Sequence, residues 1–508
     1  MSVLTQASPS TVLPHAAATP RLSACPGLLR IVAARDGGIC RIKLPGGELS
    51  ADQARVVADA SARHAAGVVE LTNRANLQVR GVRSGHEAPL IAELVDAGLG
   101  PTPLRTTDAA DPSSTAAASA ADDVRNVMIS PAAGRDPFAL IDTTSLCAEL
   151  LTLLQSESRF ATLSPKFALL LDGGERLARI DHPHDVWFAA TESHDGVRFV
   201  FGLAGCPPAF AGAQENASAV ANSPSLTKAA IGAQNAATPT HHQSRVNAKG
   251  ALAAVLPSQV AALSRALLHT FLDLAPADTT RMRHLLATHD VDALLQHAQR
   301  YADFPLSRDA TFTEWRRSTP ADPTLRLGAH AQRVSGTWHA GGQPPLGRLD
   351  AAMLQGLAAL AQQHGNGTLR ATPWQSVLLP DIPTHALPAA LAGLNALGFT
   401  CDPAQPIARL IACAGSSGCT KSLADTKADA LQLAALLPAN VDVHLSGCAR
   451  SCAAAHCAPY TLLAAAPGLY DLYRRDGQPG FGQCVAHQLT IAQAADMLDH
   501  LSRSDTDA

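Results

Sequence analysis

The sequence predicts an α+β protein built from two related halves. Three observations predict it: an internal repeat, a switch from helical to strand-like periodicity inside each copy, and a length of 508 residues that exceeds one ordinary hydrophobic core. The repeat emerges when the chain is compared with itself at a shift of 300 positions. Pro45/Pro345, Gly47/Gly347, Leu49/Leu349, Ala51/Ala351, Ala58/Ala358, His64/His364, Gly67/Gly367, Thr72/Thr372, Leu94/Leu394 and Gly98/Gly398 are identical in unshifted register. Paired alanines could match by composition alone, whereas matched Gly, His, Thr and Pro point to one supersecondary unit used twice.

Each copy reads as a Gly turn, an amphipathic helix (Ala51 to His64; Ala351 to His364), a glycine and a β-rich run (Val68 to Val79; Thr368 to Leu379). Further on, Leu140-Ile141-Asp142-Thr143 is echoed by Leu423-Ala424-Asp425-Thr426, which extends the duplication over most of each half. The expected division is a disordered segment over 1–24, a first small unit over 25–105, an α/β domain over 124–305, a second small unit over 320–400 and a second α/β domain over 405–502. Thr106 to Asp122 and Phe210 to Gly250 read as surface insertions too polar and too Ala-rich to offset their ordering entropy. Val124 to Ser130 and Phe167 to Asp172 are expected as strands, Ala139 to Gln155 as a helix, and Ala251 to Arg300 as mostly helical connection. Two related concave faces enclose a cavity where they meet, so a ligand is expected between the halves.

The charge balance, 39 basic against 43 acidic side chains, gives no reason to expect nucleic acid or an anionic membrane surface as a partner. Residues 1–24 lack the pattern of a leader, and no run of about 18 apolar residues occurs; a soluble, cytoplasmic protein is expected. Eleven cysteines in such a length are too sparse for a disulfide scaffold, leaving metal or redox chemistry as their explanation.

Four of them form a constellation. Cys413 and Cys419 are spaced C-x5-C, and after a helical stretch Cys448 and Cys452 follow as C-x3-C. Soft thiolates select iron-sulfur clusters, zinc or copper(I), and the x5 gap is unlike the short pairs of structural zinc sites. Gly415, Gly418 and Gly447 let the loops turn tightly, so a 4Fe-4S cluster is the expected occupant. Buried reduced thiols are the plain alternative. Cys457 could compete as a ligand, while Cys25, Cys40, Cys147, Cys206, Cys401 and Cys484 read as structural.

A second constellation is cationic. Strand alternation over Glu70 to Gly81 puts Arg74, Asn76, Gln78 and Arg80 on one face. Arg125 falls in a further strand and Lys166 opens another. Such a row could be a solvated outer face, or it could grip a polycarboxylate through bidentate guanidinium contacts. In the second copy the corresponding face carries Trp374, Ser376 and Leu378, which suggests a flat ligand with carboxylates on one side and carbon skeleton on the other.

These residues resemble the siroheme-type sulfite and nitrite reductases and, more closely, the precorrin-3B synthases of aerobic cobalamin biosynthesis. The closer likeness rests on Cys25-Pro-Gly-Leu-Leu-Arg30 through Gly47 and on Leu71-Thr-Asn-Arg-Ala-Asn-Leu-Gln78, and it covers nearly everything from Cys25 to about Leu501 except the two insertions. The resemblance implies the sulfite/nitrite reductase-like fold: ferredoxin-like half-domains plus two α/β cluster- and tetrapyrrole-binding domains. It also implies that Arg74, Arg125 and Lys166 hold tetrapyrrole carboxylates and that Cys413, Cys419, Cys448 and Cys452 ligate the cluster. Where the reductases carry a further Lys, this chain has Ala168, a departure that weighs against sulfite or nitrite reduction.

The activity implied is O2-dependent hydroxylation and γ-lactone formation on precorrin-3A, drawing on an external, NAD(P)H-linked electron donor. A mononuclear non-haem iron would accompany the cluster; His64, His364, His444 and His456 are its possible ligands, and Asn76 is a candidate for a polar group near the reacting centre. Two alternatives remain open: a siroheme-dependent assimilatory reductase, and a non-catalytic tetrapyrrole or cluster carrier.

Overall fold

The computed structural model describes residues 25–101, 112–210, 250–438, 440–454, 458–476 and 480–506. The expected disordered segment 1–24 and nearly all of the expected insertion 210–250 lie outside them. Four five-stranded sheets organise these residues in two matched pairs.

The first sheet has the order β1 (Val32–Ala34), β2 (Gly37–Ile42), β5 (Leu77–Val82), β4 (Val68–Leu71), β13 (Arg348–Asp350). Its counterpart is β11 (Gly328–Ala331), β12 (Thr337–Gly342), β15 (Val377–Pro383), β14 (Thr368–Ala371), β3 (Glu48–Ser50). Each half therefore lends its partner an edge strand. Ser50 stands opposite Thr368 and Asp350 opposite Val68, the same antiparallel register once the 300-residue shift is applied. The exchanged strands are pinned by ion pairs: Arg370 to Glu48 at 2.5 Å and Arg348 to Glu70 at 2.8 Å. The first copy supplies both acids and the second both arginines. Two identical first copies would set Glu48 against Glu70, and like charges directly opposite destabilise a ladder.

The helices Ala51–His64 and Ala351–His364 start at side-chain caps, Ser50 in a capping box with Gln53 and Asp350 accepting from Met353 N. They pack on each other, and one apolar core runs through both half-domains, taking Leu49, Val57, Val69 and Leu94 from the first and Leu349, Leu357, Leu369 and Leu394 from the second. The matched residues are explained by the same geometry. Gly47 and Gly347 adopt φ of +72° and +73°, and a Cβ at Gly47 would lie 2.2 Å from the carbonyl oxygen of Ala371. Thr72 Oγ1 accepts from the amides of Arg74 and Asn76, as Thr372 Oγ1 does from those of Trp374 and Ser376.

The two α/β sheets also share one topology. In the first, β6 (Val127–Met128), β7 (Leu169–Asp172) and β8 (His184–Ser193) run parallel, and β9 (Gly196–Gly205) and β10 (Ala253–Val255) return antiparallel. In the second, β16 (Leu410–Ala412), β17 (Val443–Ser446) and β18 (Tyr460–Ala466) are parallel, followed by antiparallel β19 (Leu469–Arg474) and β20 (Gln483–Leu489).

Several sequence expectations need correction here. The expected helix at Ala139 begins only at Thr144, because Leu140 N is drawn to the carbonyl of Gly173. The stretch expected to be helical from Ala251 opens with β10, which completes the sheet. The described part of the expected 106–122 insertion is a helix, Pro112–Asp123, whose end is buried: Asp122 accepts from Leu28 N and Asp123 pairs with Arg30 at 2.7 Å. Among the described residues no helix is long and apolar enough to cross a membrane.

Candidate functional site

Parallel β16 and β17 lie side by side, so the loops leaving their C-terminal ends emerge together. Cys413 and Cys419 sit in the first loop, and Cys448 and Cys452 in the second. Gly447 cannot carry a side chain, since a Cβ there would sit 1.7 Å from Ser422 Oγ. That closeness lets Gly447 N donate to Cys413 Sγ at 3.3 Å while Thr426 Oγ1 approaches the same sulfur at 3.3 Å. All four are free thiols; Cys413, Cys419 and Cys448 are half-buried and Cys452 is exposed. Burial pushes the Cys452 thiol up, and Cys448, Cys413 and Cys419 add to the push as neighbouring potential anions. Four neighbouring cysteines, one of whose sulfurs accepts from a backbone N–H, suit a cationic iron-sulfur core, which would offset the repulsion among their thiolates.

The first sheet faces these loops. On it Glu70, Gln78 and Arg41 are cross-strand neighbours. Arg80 donates to both carboxylate oxygens of Asp36 at 2.8 and 2.9 Å and to the carbonyl of Gly418 at 2.9 Å, and it approaches Glu70 at 3.5 Å. Arg80, expected to grip a ligand, has its donors engaged here in tying the first half to the cysteine loop. Arg80→Met should accordingly lower stability by about 3–5 kcal/mol through the stranded Asp36 and Glu70, read by thermal unfolding. Loss of polycarboxylate binding without loss of stability would return Arg80 to the binding set.

Arg74 and Asn76 are not on the strand, because β5 begins at Leu77 and Ala75 takes φ +55°. Asn76, the expected polar group near the reacting centre, is buried and its Oδ1 accepts from Leu44 N at 2.9 Å, which braces the turn. Arg74 differs. It is half-buried, and among the described residues its guanidinium has no hydrogen-bond or ion-pair partner. Burial first, then Arg281 and Arg41, pull its pKa down to about 10.

Around Arg74 the chain gathers further cations that sequence reasoning missed. Arg41 feels both Arg74 and Cys452, placing it between the turn and the cysteines. Lys43 is buried and donates to the carbonyl of Asp123 at 2.6 Å; burial, with Arg125 and Arg74 adding to it, pushes its pKa down to about 8 against the opposite pull of Asp122 and Asp123. Arg281 is held by Asp185 at 2.9 Å. Arg41 and Lys43 alternate along β2 and its end, a signal available in the sequence; Arg281 has none, as it comes from a loop beyond the 210–250 insertion. Arg125 is half-buried beside Asp122 at 3.2 Å. Lys166 is exposed, and Asn126 ties its loop to Arg125 by donating to the carbonyls of Asp123 and Pro165 at 2.8 and 2.9 Å. Ala168 is buried, its amide donating to Asp185 at 3.0 Å. Cys25, expected to be structural, lies within electrostatic reach of Arg41 and Arg74.

The apolar face of the second copy does not open toward a ligand. Trp374 and Leu378 pack on Ala132, Leu177 and Leu325, and Arg179 covers the Trp374 ring at 5.2 Å. Among the described residues no three His, Cys, Asp or Glu, the four cysteines included, are grouped as for a single metal ion, so no ligand set for the expected mononuclear iron is found there. His64 meets Glu93 through Nε2 at 3.0 Å and His86 through Nδ1 at 3.1 Å, on opposite edges of its ring. His364 ends its helix, His444 is buried in β17, and His456 and Cys457 lie outside the described residues.

Comparison with known proteins agrees with this architecture. Residues 33–97 and 330–397 match the nitrite/sulfite reductase ferredoxin-like half domain, and 120–306 match the nitrite and sulphite reductase 4Fe-4S domain. That second match falls on the α/β copy without the cysteine constellation; its family supports an iron-sulfur cluster in this chain. A ferredoxin–nitrite reductase of Synechococcus elongatus is 28% identical over 87% of the chain and 77% of its own length. A precorrin-3B synthase of a Sinorhizobium species is 25% identical over 97% and 91%. The solved structure of the Mycobacterium tuberculosis NirA protein superposes with a TM-score of 0.66 at 20% identity, covering 92% of this chain and 80% of that one, a likeness of fold. Both the reciprocal half-domains and the family matches that span them lead to the same conclusion: the chain belongs to the nitrite and sulfite reductase superfamily, a family of oxidoreductases with an iron-sulfur domain.

Proposed function

We propose that the protein is a precorrin-3B synthase, hydroxylating precorrin-3A with O2 and closing one acetate side chain into a γ-lactone. The observation that carries this reading is the cationic wall of Arg41, Lys43, Arg74 and Arg125 beside the cysteine loops, with Ala168 where the reductases have a second lysine. A polycarboxylate tetrapyrrole would supply an anion for Arg74, whereas Arg125 already pairs with Asp122, and Lys43 and Arg41 already feel Asp122 and Asp123. End-to-end coverage of the precorrin-3B synthase relative, 97% against 91%, supports the same substrate class.

In this reading Cys413, Cys419, Cys448 and Cys452 hold a 4Fe-4S cluster, which supplies one-electron transfer when bound. Arg74, Arg125 and Lys166 orient the ring through its carboxylates, and Arg41 bridges the ring edge and the cluster loop. Fixing the ring in this way leaves one acetate positioned for closure, which is where proximity lowers the barrier. One oxygen atom enters the carbon skeleton and the other leaves as water, with two electrons and two protons delivered from an external, NAD(P)H-linked donor.

The test is incubation of anaerobically purified protein with precorrin-3A, a reductant and 18O2. Incorporation of one labelled oxygen is expected; an unchanged substrate mass would leave only a carrier. A second reading, siroheme-dependent reduction of nitrite or sulfite, is favoured by the 28% identity to ferredoxin–nitrite reductase. A siroheme spectrum together with nitrite or sulfite turnover would establish that reading and reject the first.

A further inference from the structure

His184 opens β8 and is only 2% exposed, yet beyond an approach to the backbone of His182 neither Nδ1 nor Nε2 completes a hydrogen bond of ordinary geometry. Two other buried or half-buried imidazoles are engaged: His339 Nε2 meets the carbonyl of Leu325 at 3.0 Å and His330 Nε2 that of Leu327 at 2.8 Å. Leaving a buried polar group unmade costs about 1–3 kcal/mol, so the vacancy calls for a reason.

The surroundings supply one. The His182 ring stands edge-on at 5.2 Å, and Arg74 and Arg281 are both near enough to bear on His184. Asp185, the adjacent acid, cannot satisfy the imidazole, because its oxygens accept from Arg281 Nε, Met282 N and Ala168 N. Burial, reinforced by His182, Arg74 and Arg281, holds the ring well below its usual pKa. The free protein therefore presents a neutral imidazole, with one N–H donor and one acceptor nitrogen. A neutral donor beside Arg74 and Arg281 suits a carboxylate, since it adds a hydrogen bond without a further mutually repelling charge.

We propose that His184 is a ligand-contacting residue whose imidazole donates a hydrogen bond to a carboxylate of the molecule held against Arg74. This rests on the tetrapyrrole reading above and adds to it a recognition group outside the arginine and lysine set.

The experiment compares the parent protein with His184→Phe and His184→Gln. The probe is uroporphyrin, an eight-carboxylate tetrapyrrole, with its octamethyl ester as the uncharged control; affinity is read by fluorescence quenching and stability by thermal unfolding of the free protein. Phe keeps the ring volume and removes the donor, so affinity for uroporphyrin should fall about tenfold or more while Tm stays level or rises. Gln restores a donor and should recover most of the affinity. Equal affinity in His184→Phe overturns the proposal, as does a fall in both Tm and affinity that Gln leaves uncorrected, which would mark a structural histidine. Should the parent bind uroporphyrin no better than the ester, the tetrapyrrole reading falls and this inference with it.

Discussion

Cys448→Ala should abolish cluster loading: anaerobically purified variant is expected to hold well under one iron and one sulfide per chain, against about four of each in the parent, and to lose the broad iron-sulfur absorption and the EPR signal of the reduced cluster. Cys448 leaves the end of β17 directly beside the loop of Cys413, and the two loops are stitched together by Gly447 N to Cys413 Sγ and by Leu423 N to the carbonyl of Gly447. Removing one ligand leaves a corner of the cube open to solvent and only three sulfurs to hold it. Cys484→Ala is the control, since that sulfur lies on β20 against Ala486 and His487, and it should load normally. Full iron and sulfide in Cys448→Ala would show that the ligand set is wrong, with Cys457 the first residue to examine.

Much of the architecture was legible because duplication writes the same constraint twice. Gly47 and Gly347 match because a carbonyl or a side chain fills the place of their Cβ, and Thr72 and Thr372 match because one hydroxyl closes the same turn in each copy. Such requirements are local, so they survive in the sequence as identities. The cysteine loops were legible for a similar reason: spacing, glycine and soft ligands coincide in one short stretch. The β8–β9 hairpin carries its signal at the turn alone, Asp195-Gly196, because its strands mix apolar runs with His184, Asp185, Glu192 and Arg198 and lack a clean alternation.

The polar face of the first sheet shows where periodicity stops being informative. Alternation placed Arg74 and Arg80 together, but what lies across each is set by residues far along the chain. Arg80 meets Asp36 and the carbonyl of Gly418, 338 positions away, and becomes a tether. Arg74 sits in a turn where, among the described residues, its guanidinium makes no hydrogen bond or ion pair, and becomes the open cation. No pattern within Glu70 to Gly81 distinguishes the two. The same holds for His184, whose meaning comes from what it lacks, and for Arg281, which reaches the site from beyond the polar segment.

Arg74→Ala is expected to weaken tetrapyrrole binding by about 2–3 kcal/mol, roughly 30- to 150-fold, with little or no loss of folded stability. The two effects have different origins. In the free protein the guanidinium is partly desolvated beside Arg41 and Arg281 without an acid of its own, so its removal relieves repulsion and breaks no ion pair. In the complex the same position would lose a charge-assisted contact to a carboxylate, among the stronger hydrogen bonds available to a protein. Titration at several salt concentrations separates this from a diffuse surface effect. A half-buried contact is screened weakly, so the ratio of parent to variant affinity should persist at high salt, whereas a solvated cation's contribution would fade as the screening length shortens. Arg74→Lys should lie between the two, because a point charge replaces a bidentate fork. Affinity that is unaltered in Arg74→Ala would mean that the turn at residues 72–76 faces solvent in the working protein, and the cationic wall would lose the residue on which its reading as a carboxylate clamp depends.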